Sequence, residues 1–501
     1  MTTIRLEEVF KVNGVPTVTF VEPPDFARIL VNLRSPGRGL LIEGPSGIGK
    51  TTAVTQALSQ LDTKAKALVL SARKSEDVKI IQSLSQLGKL GLVVVDDFHR
   101  LDPADQRQIA DLMKVLADAE DPDSKVIVVG INDAGRSLIH FSPDLVNRVD
   151  TIKIEASTKL SDRVERLLEL GEEALNIDLA VRTDIVAAAA GSYYIAQLLA
   201  YEACLKAKCL ETQPVKTKLA VSFEDVRREV LDRLKRSFDY PIRVFAAGTR
   251  VRREGRAPYL HLLKWLSEVD GFSLDIPGTL QTHPAMAGSV GQIVEKGYVG
   301  KLIGGNEQLV RCLHFQEQAN MLSAEDPQFM FYLRNIPWAT FAKELGFASL
   351  TFDGRYDVAL SFAGEDRPLA EALFLELTDR ELEVFYDKNE QHRIAGNDLE
   401  EYLAPIYASE AAYVVVLVSA SYPKKIWTKF ESDQFAARMK TGSVIPVWFD
   451  GERAPPWDKS STLGALGFDP TKEMKSQVGG LADTLCRKLA EQRSKQPELF
   501  Q

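Results

Sequence analysis

Short apolar runs that end at a glycine or a polar residue recur in the first third of the chain. Residues 40–42 are Leu-Leu-Ile, residues 92–95 are Leu-Val-Val-Val, and residues 125–130 end at Gly130. Continuous apolar runs of this kind are typical of strands that are buried on both faces, as in parallel sheets. A helix-like stretch, residues 52–58, follows the first run. This third of the chain therefore predicts an α/β fold.

From Tyr356 onward, apolar runs again alternate with helix-like stretches. The runs occupy residues 358–362, 382–386, 412–418 and 444–448. Such alternation predicts a second parallel sheet that is flanked by helices.

Between about residues 236 and 345 the pattern changes, and no catalytic motif occurs. Residues 259–266 and 290–298 have helical periodicity, and a strand-like stretch, residues 308–315, follows a glycine-containing turn. Helix, helix, turn and strand in this order predict a winged helix. Because winged helices also serve as structural relays, the predicted fold alone assigns no function to this segment.

A phosphate-binding loop joins the first predicted strand to the helix that follows it. The loop has the pattern G-x-x-x-x-G-K-T, and its residues, with the first residue of the helix, are Gly44, Pro45, Ser46, Gly47, Ile48, Gly49, Lys50, Thr51 and Thr52. Glycines allow the backbone amides to face phosphate oxygens at a helix N-terminus. We expect Lys50 to reach the β and γ phosphates of ATP, and the Thr51 hydroxyl to bind Mg²⁺.

Two aspartates at the end of the second apolar run extend this predicted site. Ligands of open parallel sheets bind at the carboxyl ends of the strands, which is where Asp96 and Asp97 stand. We expect Asp96 to hold Mg²⁺, directly or through water, and Asp97 to orient the attacking water. The alternative is a core strand that ends in a solvated turn.

These motifs resemble those of AAA+ and STAND-type P-loop ATPases over about residues 15–230, and the Asp-Asp pair favours the STAND side. The resemblance implies that Asn132 senses the γ-phosphate and that Arg148 is supplied to a neighbouring subunit's nucleotide. An arginine at that place could equally cap a helix. Residues 191–197 lack the second sensing arginine of the family, which fits slow turnover or a latch held by nucleotide.

Four blocks of the C-terminal part resemble a TIR domain, and they occur in the order expected for that family. The blocks are residues 361–367 (Ser-Phe-Ala-Gly-Glu-Asp-Arg), the loop 387–399, residues 419–422 and the W-x-x-x-E element 427–431. The resemblance covers about residues 354–490 and implies a flavodoxin-like fold.

In enzymatic TIR domains, cleavage of the NAD⁺ glycosidic bond depends on the glutamate of the W-x-x-x-E element, which here is Glu431. A carboxylate can stabilise the oxocarbenium-like ribosyl centre that forms as nicotinamide leaves. The resemblance places five further residues around NAD⁺: Phe362, Ala363, Arg367, Arg393 and Trp427. The alternative is a TIR domain that only assembles with other TIR domains.

Composition and charge narrow the possible classes of function. A chain of 501 residues is expected to form three or four domains. The net charge of −9 argues against general nucleic-acid binding. Five arginines are nevertheless close in sequence: Arg243, Arg250, Arg252, Arg253 and Arg256. They predict either a patch that contacts nucleic-acid phosphates or, as we favour, a linker that packs against acidic neighbours.

The four cysteines have no metal-like spacing, so we expect free thiols in a reducing compartment. The sequence contains no apolar signal core and no membrane-spanning run, which predicts a cytoplasmic protein without membrane contacts.

The two nucleotide motifs together predict a regulated enzyme. We expect a P-loop ATPase core at residues 1–157, a helical lid at 158–235, a winged-helix relay domain at 236–348 and a TIR domain at 349–495. ATP would gate an NAD⁺ hydrolase that homo-oligomerisation activates during bacterial antiphage defence, in response to a phage-derived protein or nucleic acid. The alternatives are a nucleotide-gated TIR scaffold without catalysis and a DNA-responsive ATPase.

Overall fold

The computed structural model describes most of the chain, with gaps between the described stretches. The described residues are 3–44, 47–61, 67–130, 145, 147–154, 160–249, 255–347, 352, 354–387, 403–422, 436–449 and 464–495.

A five-stranded parallel sheet forms the core of the N-terminal part, in the order β2-β3-β4-β1-β5. Its strands are β1 Gly39–Glu43, β2 Ala67–Ser71, β3 Gly91–Asp96, β4 Ser124–Gly130 and β5 Val149–Lys153. The helices of this part are α1 Leu6–Val9, α2 Phe26–Arg34, α3 Lys50–Gln60, α4 Ser75–Ser83 and α5 Pro103–Asp118. The central strands β1 and β4 are fully buried, as their apolar runs predict. The predicted α/β fold with a parallel sheet is confirmed.

Four helices follow this sheet. They are α6 Ser161–Leu175, α7 Arg182–Ala189, α8 Tyr193–Lys206 and α9 Phe223–Ala247, with a short parallel pair, β6 Ile177–Leu179 and β7 Thr217–Leu219. Helix α9 continues through residues 235 and 236, where the sequence analysis puts the boundary between lid and relay domain. A buried stripe that extends from Val226 to Phe245 keeps this helix continuous, and Pro241 lies within it.

The middle segment combines short helices with a three-stranded antiparallel sheet in the order β8-β10-β9. The helices are α10 Pro258–Glu268, α11 Ile276–Thr282, α12 Ala287–Glu295, α13 Tyr298–Gly304, α14 Glu307–Cys312, α15 Pro327–Arg334 and α16 Trp338–Leu345. The strands are β8 Ser273–Asp275, β9 Leu313–Gln316 and β10 Met321–Ala324. The predicted strand 308–315 is helical in its first half, because the Asn306 side chain caps α14 by accepting from two backbone amides.

A second five-stranded parallel sheet forms the C-terminal part, in the order β12-β11-β13-β14-β15. Its strands are β11 Tyr356–Ser361, β12 Val384–Phe385, β13 Ala411–Val418, β14 Val444–Phe449 and β15 Leu466–Phe468. Its helices are α17 Arg367–Thr378 and α18 Met474–Lys495. All four predicted strands are present, and their parallel order is confirmed. No described helix is long and apolar enough to cross a bilayer.

Two of the five clustered arginines lie in described stretches, and both are engaged with acidic side chains. Arg243 pairs with Asp239 and Glu344. Arg256 is only 1% exposed and pairs with Asp357. These two arginines therefore fit the packed linker rather than a nucleic-acid patch. Arg250, Arg252 and Arg253 lie outside the described residues.

Candidate functional site

The phosphate-binding loop lies between β1 and α3, as predicted. Gly44 and Gly49 have φ angles of +155° and +93°, which other residues adopt only with strain, so the turn requires glycine at both positions. The Lys50 Nζ donates a 2.8 Å hydrogen bond to the Gly44 carbonyl. Burial lowers the pKa of Lys50 to about 8. Pro45 and Ser46 lie outside the described residues, whereas Gly47 and Ile48 line the cavity described below.

Thr51 and Asp96 bring two hard oxygen ligands together at the carboxyl edge of the sheet. The Thr51 hydroxyl donates a 2.8 Å hydrogen bond to Asp96. Burial, reinforced by the neighbouring Asp97 charge, raises the pKa of Asp96. A cation would relieve that unfavourable burial of negative charge, and Mg²⁺ favours oxygen ligands of this kind. The pair therefore fits the metal that the sequence analysis assigned to it.

Asp97 is already engaged by side chains that the sequence analysis did not identify. Its carboxylate lies 2.9 Å from the Arg73 guanidinium and accepts a 3.1 Å hydrogen bond from Ser71. Burial alone would raise the pKa of Asp97, but Arg73 outweighs burial and holds that pKa below its usual value. Asp97 also has a left-handed backbone, with φ of 57°. Its predicted water-orienting role would therefore operate from an ion pair with Arg73.

A cavity of about 330 Å³ extends from this loop to the helical lid, and it is large enough for a nucleotide. Lys50, Thr51 and Thr52 line its phosphate end. At the lid, Tyr193 starts α8 where the family often has its second sensing arginine. Its ring lies so near Gly49 that a Cβ on that residue would stand 3.3 Å from it. Gln197 accepts a 2.6 Å hydrogen bond from the Lys11 amide, which ties the N-terminal segment to the lid.

The middle segment also reaches this site. Glu325, whose side chain is 3% exposed, lies 2.9 Å from His99 Nε2 and pairs with Arg100. His99 and Arg100 follow Asp97 by two and three residues. Pro327 lies so close to Gly47 that a Cβ there would clash with it. The phosphate-binding loop and the end of β3 therefore both contact the middle segment.

Asn132 and Arg148 are the remaining predicted residues of the ATP site. Asn132 lies outside the described residues. Arg148 pairs with Asp118, the last residue of α5 in the same chain, and about a third of its side chain is exposed. The proposed contact with a neighbouring subunit's nucleotide stays a prediction.

Phe362, Ala363 and Arg367 meet at the carboxyl edge of the C-terminal sheet, as predicted. The Arg367 guanidinium lies over the Phe362 ring, 5.3 Å from its centroid. It also donates two hydrogen bonds to Asp387, of 3.0 and 2.8 Å. A two-point contact of this kind fixes the direction of the guanidinium. Ala363 is buried beneath this edge.

Hydroxyl groups that the sequence analysis missed order the same edge. Ser361, at the end of β11, shares a 2.6 Å hydrogen bond with the Tyr422 hydroxyl. Ser419, after the end of β13, donates a 2.6 Å hydrogen bond to Asp366. Adjacent parallel strands that both end in serine were the available signal. The predicted residues Arg393, Trp427 and Glu431 lie outside the described residues.

Comparison with protein families assigns both ends of the chain. Residues 40–155 match the family described as ATPase family associated with various cellular activities (AAA), and residues 358–477 match the TIR domain. The chain therefore contains an AAA ATPase domain and a C-terminal TIR domain, as the sequence analysis predicted.

Two curated relatives match the TIR domain. The 3′ cyclic ADP-D-ribose synthase AaTIR of Aquimarina amphilecti is 42% identical over 103 residues, which cover 20% of this chain and 32% of the relative. The 2′ cyclic ADP-D-ribose synthase BtTIR of Bacteroides thetaiotaomicron is 35% identical over 101 residues, which cover 19% of this chain and 33% of the relative. The match thus spans only about a third of each relative.

Solved structures match about two thirds of the chain at low identity. The ORC2 protein of Aeropyrum pernix in its ADPNP–ADP complexes has a TM-score of 0.33 and 13% identity, over 67% of this chain and 98% of that chain. The RuvB Holliday junction branch migration motor of Thermotoga maritima has a TM-score of 0.34 and 14% identity, over 64% of this chain and 100% of that chain.

Proposed function

We propose that this protein is an ATP-gated enzyme whose TIR domain cleaves NAD⁺, and that it acts in bacterial antiphage defence. The observation that carries the proposal is the sequence similarity of the TIR domain to two cyclic ADP-D-ribose synthases. The ordered Arg367 at the carboxyl edge of the sheet supports it, because a fixed guanidinium suits the pyrophosphate of a dinucleotide.

The reaction breaks the bond between ribose C1′ and the nicotinamide nitrogen. The bonding pair leaves with nicotinamide, whose nitrogen is cationic in NAD⁺ and becomes neutral, so the leaving group requires no proton. Glu431 would stabilise the positive charge that develops on the ribosyl centre. Water that adds to C1′ and loses a proton gives ADP-ribose. Attack by a hydroxyl of the same molecule, with loss of its proton, would give the cyclic product after which the relatives are named.

Nucleotide control is supported by the contacts between the ATP site and the middle segment. Glu325 engages His99 and Arg100 directly after the Asp96–Asp97 pair. The γ-phosphate and Mg²⁺ would bind beside that pair of aspartates. Their charges would therefore change the electrostatic interaction of Glu325 with His99 and Arg100. ATP could thereby favour one of two arrangements of the relay domain, and homo-oligomers of one arrangement would bring TIR domains together.

The gating experiment measures nicotinamide release by the purified full chain with ATP, with ADP and without nucleotide, across protein concentrations. Lys50→Ala should abolish the response to ATP, whereas Lys89→Ala, at an exposed lysine, should leave it unchanged. A response to ATP that is the same in Lys50→Ala and wild type would overturn ATP gating. Nucleotide-dependent assembly without nicotinamide release at any concentration would identify the scaffold instead.

A further inference from the structure

A buried ionic contact joins the start of the middle segment to the TIR domain. The Arg256 side chain, which is 1% exposed, donates hydrogen bonds of 2.9 and 2.6 Å to the two oxygens of Asp357, at the start of β11. It also donates to the Gly354 carbonyl, over 3.1 Å. Arg493 of α18 pairs with the same carboxylate, and the Phe352 ring lies 4.7 Å from both guanidinium groups. Two cations therefore share one buried anion.

The second contact lies on helix α12. Glu383, the residue before β12, accepts hydrogen bonds from the backbone amides of Gly288 and Ser289, at 3.1 and 2.6 Å. Its carboxylate thus satisfies amides at the N-terminus of α12, where the helix dipole favours negative charge. Just past the other end of α12, Lys296 lies 2.9 Å from Asp379. Two acidic residues of the TIR domain therefore hold one helix at both ends.

Both contacts lie at the amino edge of the TIR sheet, away from the carboxyl edge that carries Arg367. Asp357 and Phe362 are five residues apart on β11 and its continuation, which corresponds to about 16 Å. The middle segment therefore contacts the end of the sheet that is opposite to Arg367. Contact at that end fixes the orientation of the TIR domain. These contacts do not involve the carboxyl edge of the sheet.

We propose that residues 255–257 and helix α12 form an intramolecular clamp for the TIR domain. The closed clamp sets the direction in which each TIR domain faces from the ATPase, and so determines whether TIR domains of neighbouring copies can meet. This inference rests on the proposed function, because it takes TIR association as the activating step. It adds the surface through which the relay domain controls that association.

The chemistry of the clamp makes it suitable for opening and closing. When the two surfaces separate, the arginines and carboxylates of both sides become hydrated together, so no charge is left buried without a partner. Removal of a single partner has the opposite effect, because a buried charge or buried amide then has fewer partners in the closed form. Substitutions in the clamp should therefore favour the open form.

The first experiment measures the clamp itself, by spin labels at one position on each side. Gln308 of α14 and Lys475 of α18 are exposed, and the four native cysteines are buried, so Gln308→Cys with Lys475→Cys provides two selective labelling sites. The wild-type pair should give one narrow distance distribution without nucleotide. Arg256→Gln leaves Asp357 with one cation instead of two, and Glu383→Ala leaves two backbone amides of α12 without their acceptor. Each should broaden that distribution.

Lys296→Glu opposes Asp379 at an exposed pair, and so weakens the clamp without disturbing a buried group. It should also broaden the distribution. Arg243→Gln is the matched control, because it removes a partly exposed ion pair of the same domain outside the clamp. A distribution as narrow in Arg256→Gln, Glu383→Ala and Lys296→Glu as in the control would overturn the clamp.

The second readout is nicotinamide release with and without ATP. In the clamp variants the ratio of the two rates should fall to about one, because the TIR domains no longer follow the ATPase. Broadened distances together with unchanged ATP control would overturn the regulatory role of the clamp. Absence of nicotinamide release in every variant and in the wild type, together with broadened distances, would instead contradict the proposed enzyme and leave the clamp standing.

Discussion

Replacement of Asp357 by asparagine tests the energetics of the contact between relay and TIR domains. Asn keeps the shape of the side chain and one acceptor oxygen, but it removes the charge that Arg256 and Arg493 share. All three side chains are less than 10% exposed. Burial alone would raise the pKa of Asp357, yet the two arginines hold that pKa below its usual value, so the carboxylate is the form that the fold stabilises.

The expected loss follows from the number of charges left without a partner. Removal of one partner from a buried ion pair costs about 3–5 kcal/mol, and Asp357→Asn leaves two guanidinium groups, which puts it at the upper end. For a domain of this size, each kcal/mol lowers Tm by about 2–4 °C, so we expect the TIR transition to fall by about 10–20 °C. Arg256→Gln leaves Asp357 paired with Arg493 and should cost roughly half as much.

Scanning calorimetry of the full chain measures these shifts, with Arg243→Gln as the control. Arg243 is about a third exposed, so loss of its ion pairs should cost less than about 1 kcal/mol. A shift of the TIR transition in Asp357→Asn that is no larger than in Arg243→Gln would show that the shared carboxylate does not stabilise the domain. A larger shift in Arg256→Gln than in Asp357→Asn would contradict the sharing of one carboxylate by two arginines.

Three further results are expected. Because burial lowers the pKa of Lys50 to about 8 and ATP phosphates favour its charged form, ATP binding near pH 8 should take up about half a proton. Calorimetry in two buffers of different ionisation enthalpy measures this uptake, and zero uptake would contradict the prediction. Arg367→Lys loses the two-point contact with Asp387, so KM for NAD⁺ should rise about tenfold with kcat little changed, and an unaltered KM would argue against a phosphate contact. Burial, together with the Asp357 charge, raises the pKa of Glu383 from 4.5 to about 7 and outweighs Arg256 and the Ser289 amide, which lower it. The protonated carboxyl is therefore favoured in the closed clamp, and the stability of the closed clamp falls as pH rises between those two values. The spin-label distance distribution should broaden from about pH 5 to about pH 8 in the wild type, but less in Glu383→Gln. Equal broadening in both proteins would contradict this prediction.

The sequence predicted those features that depend on local pattern. Both parallel sheets follow from continuous apolar runs, and the phosphate-binding loop follows from glycine spacing between a strand and a helix. Arg367 was predicted from the order of the TIR blocks, and it lies at the carboxyl edge of the C-terminal sheet, as that order implies.

Features that depend on distant parts of the chain were not predicted. Arg73 stands 24 residues before its partner Asp97, and Glu325 stands 225 residues after its partner Arg100. No spacing rule connects either pair. Arg256 was expected in a linker beside acidic neighbours, but its full burial depends on Asp357, 101 residues later. The boundary at 235 and 236 fell inside α9 because the helix continues along a buried stripe.

Nicotinamide release by Glu431→Gln, compared with the wild type in the presence of ATP, shows whether the TIR domain cleaves NAD⁺. Gln is isosteric but carries no charge to stabilise the ribosyl centre. We predict that release falls by about 10²–10³-fold, while ATP binding and assembly are unchanged. Glu473→Gln, at an exposed glutamate of the same domain, should release nicotinamide at the wild-type rate. Equal rates in Glu431→Gln and the wild type would contradict the account.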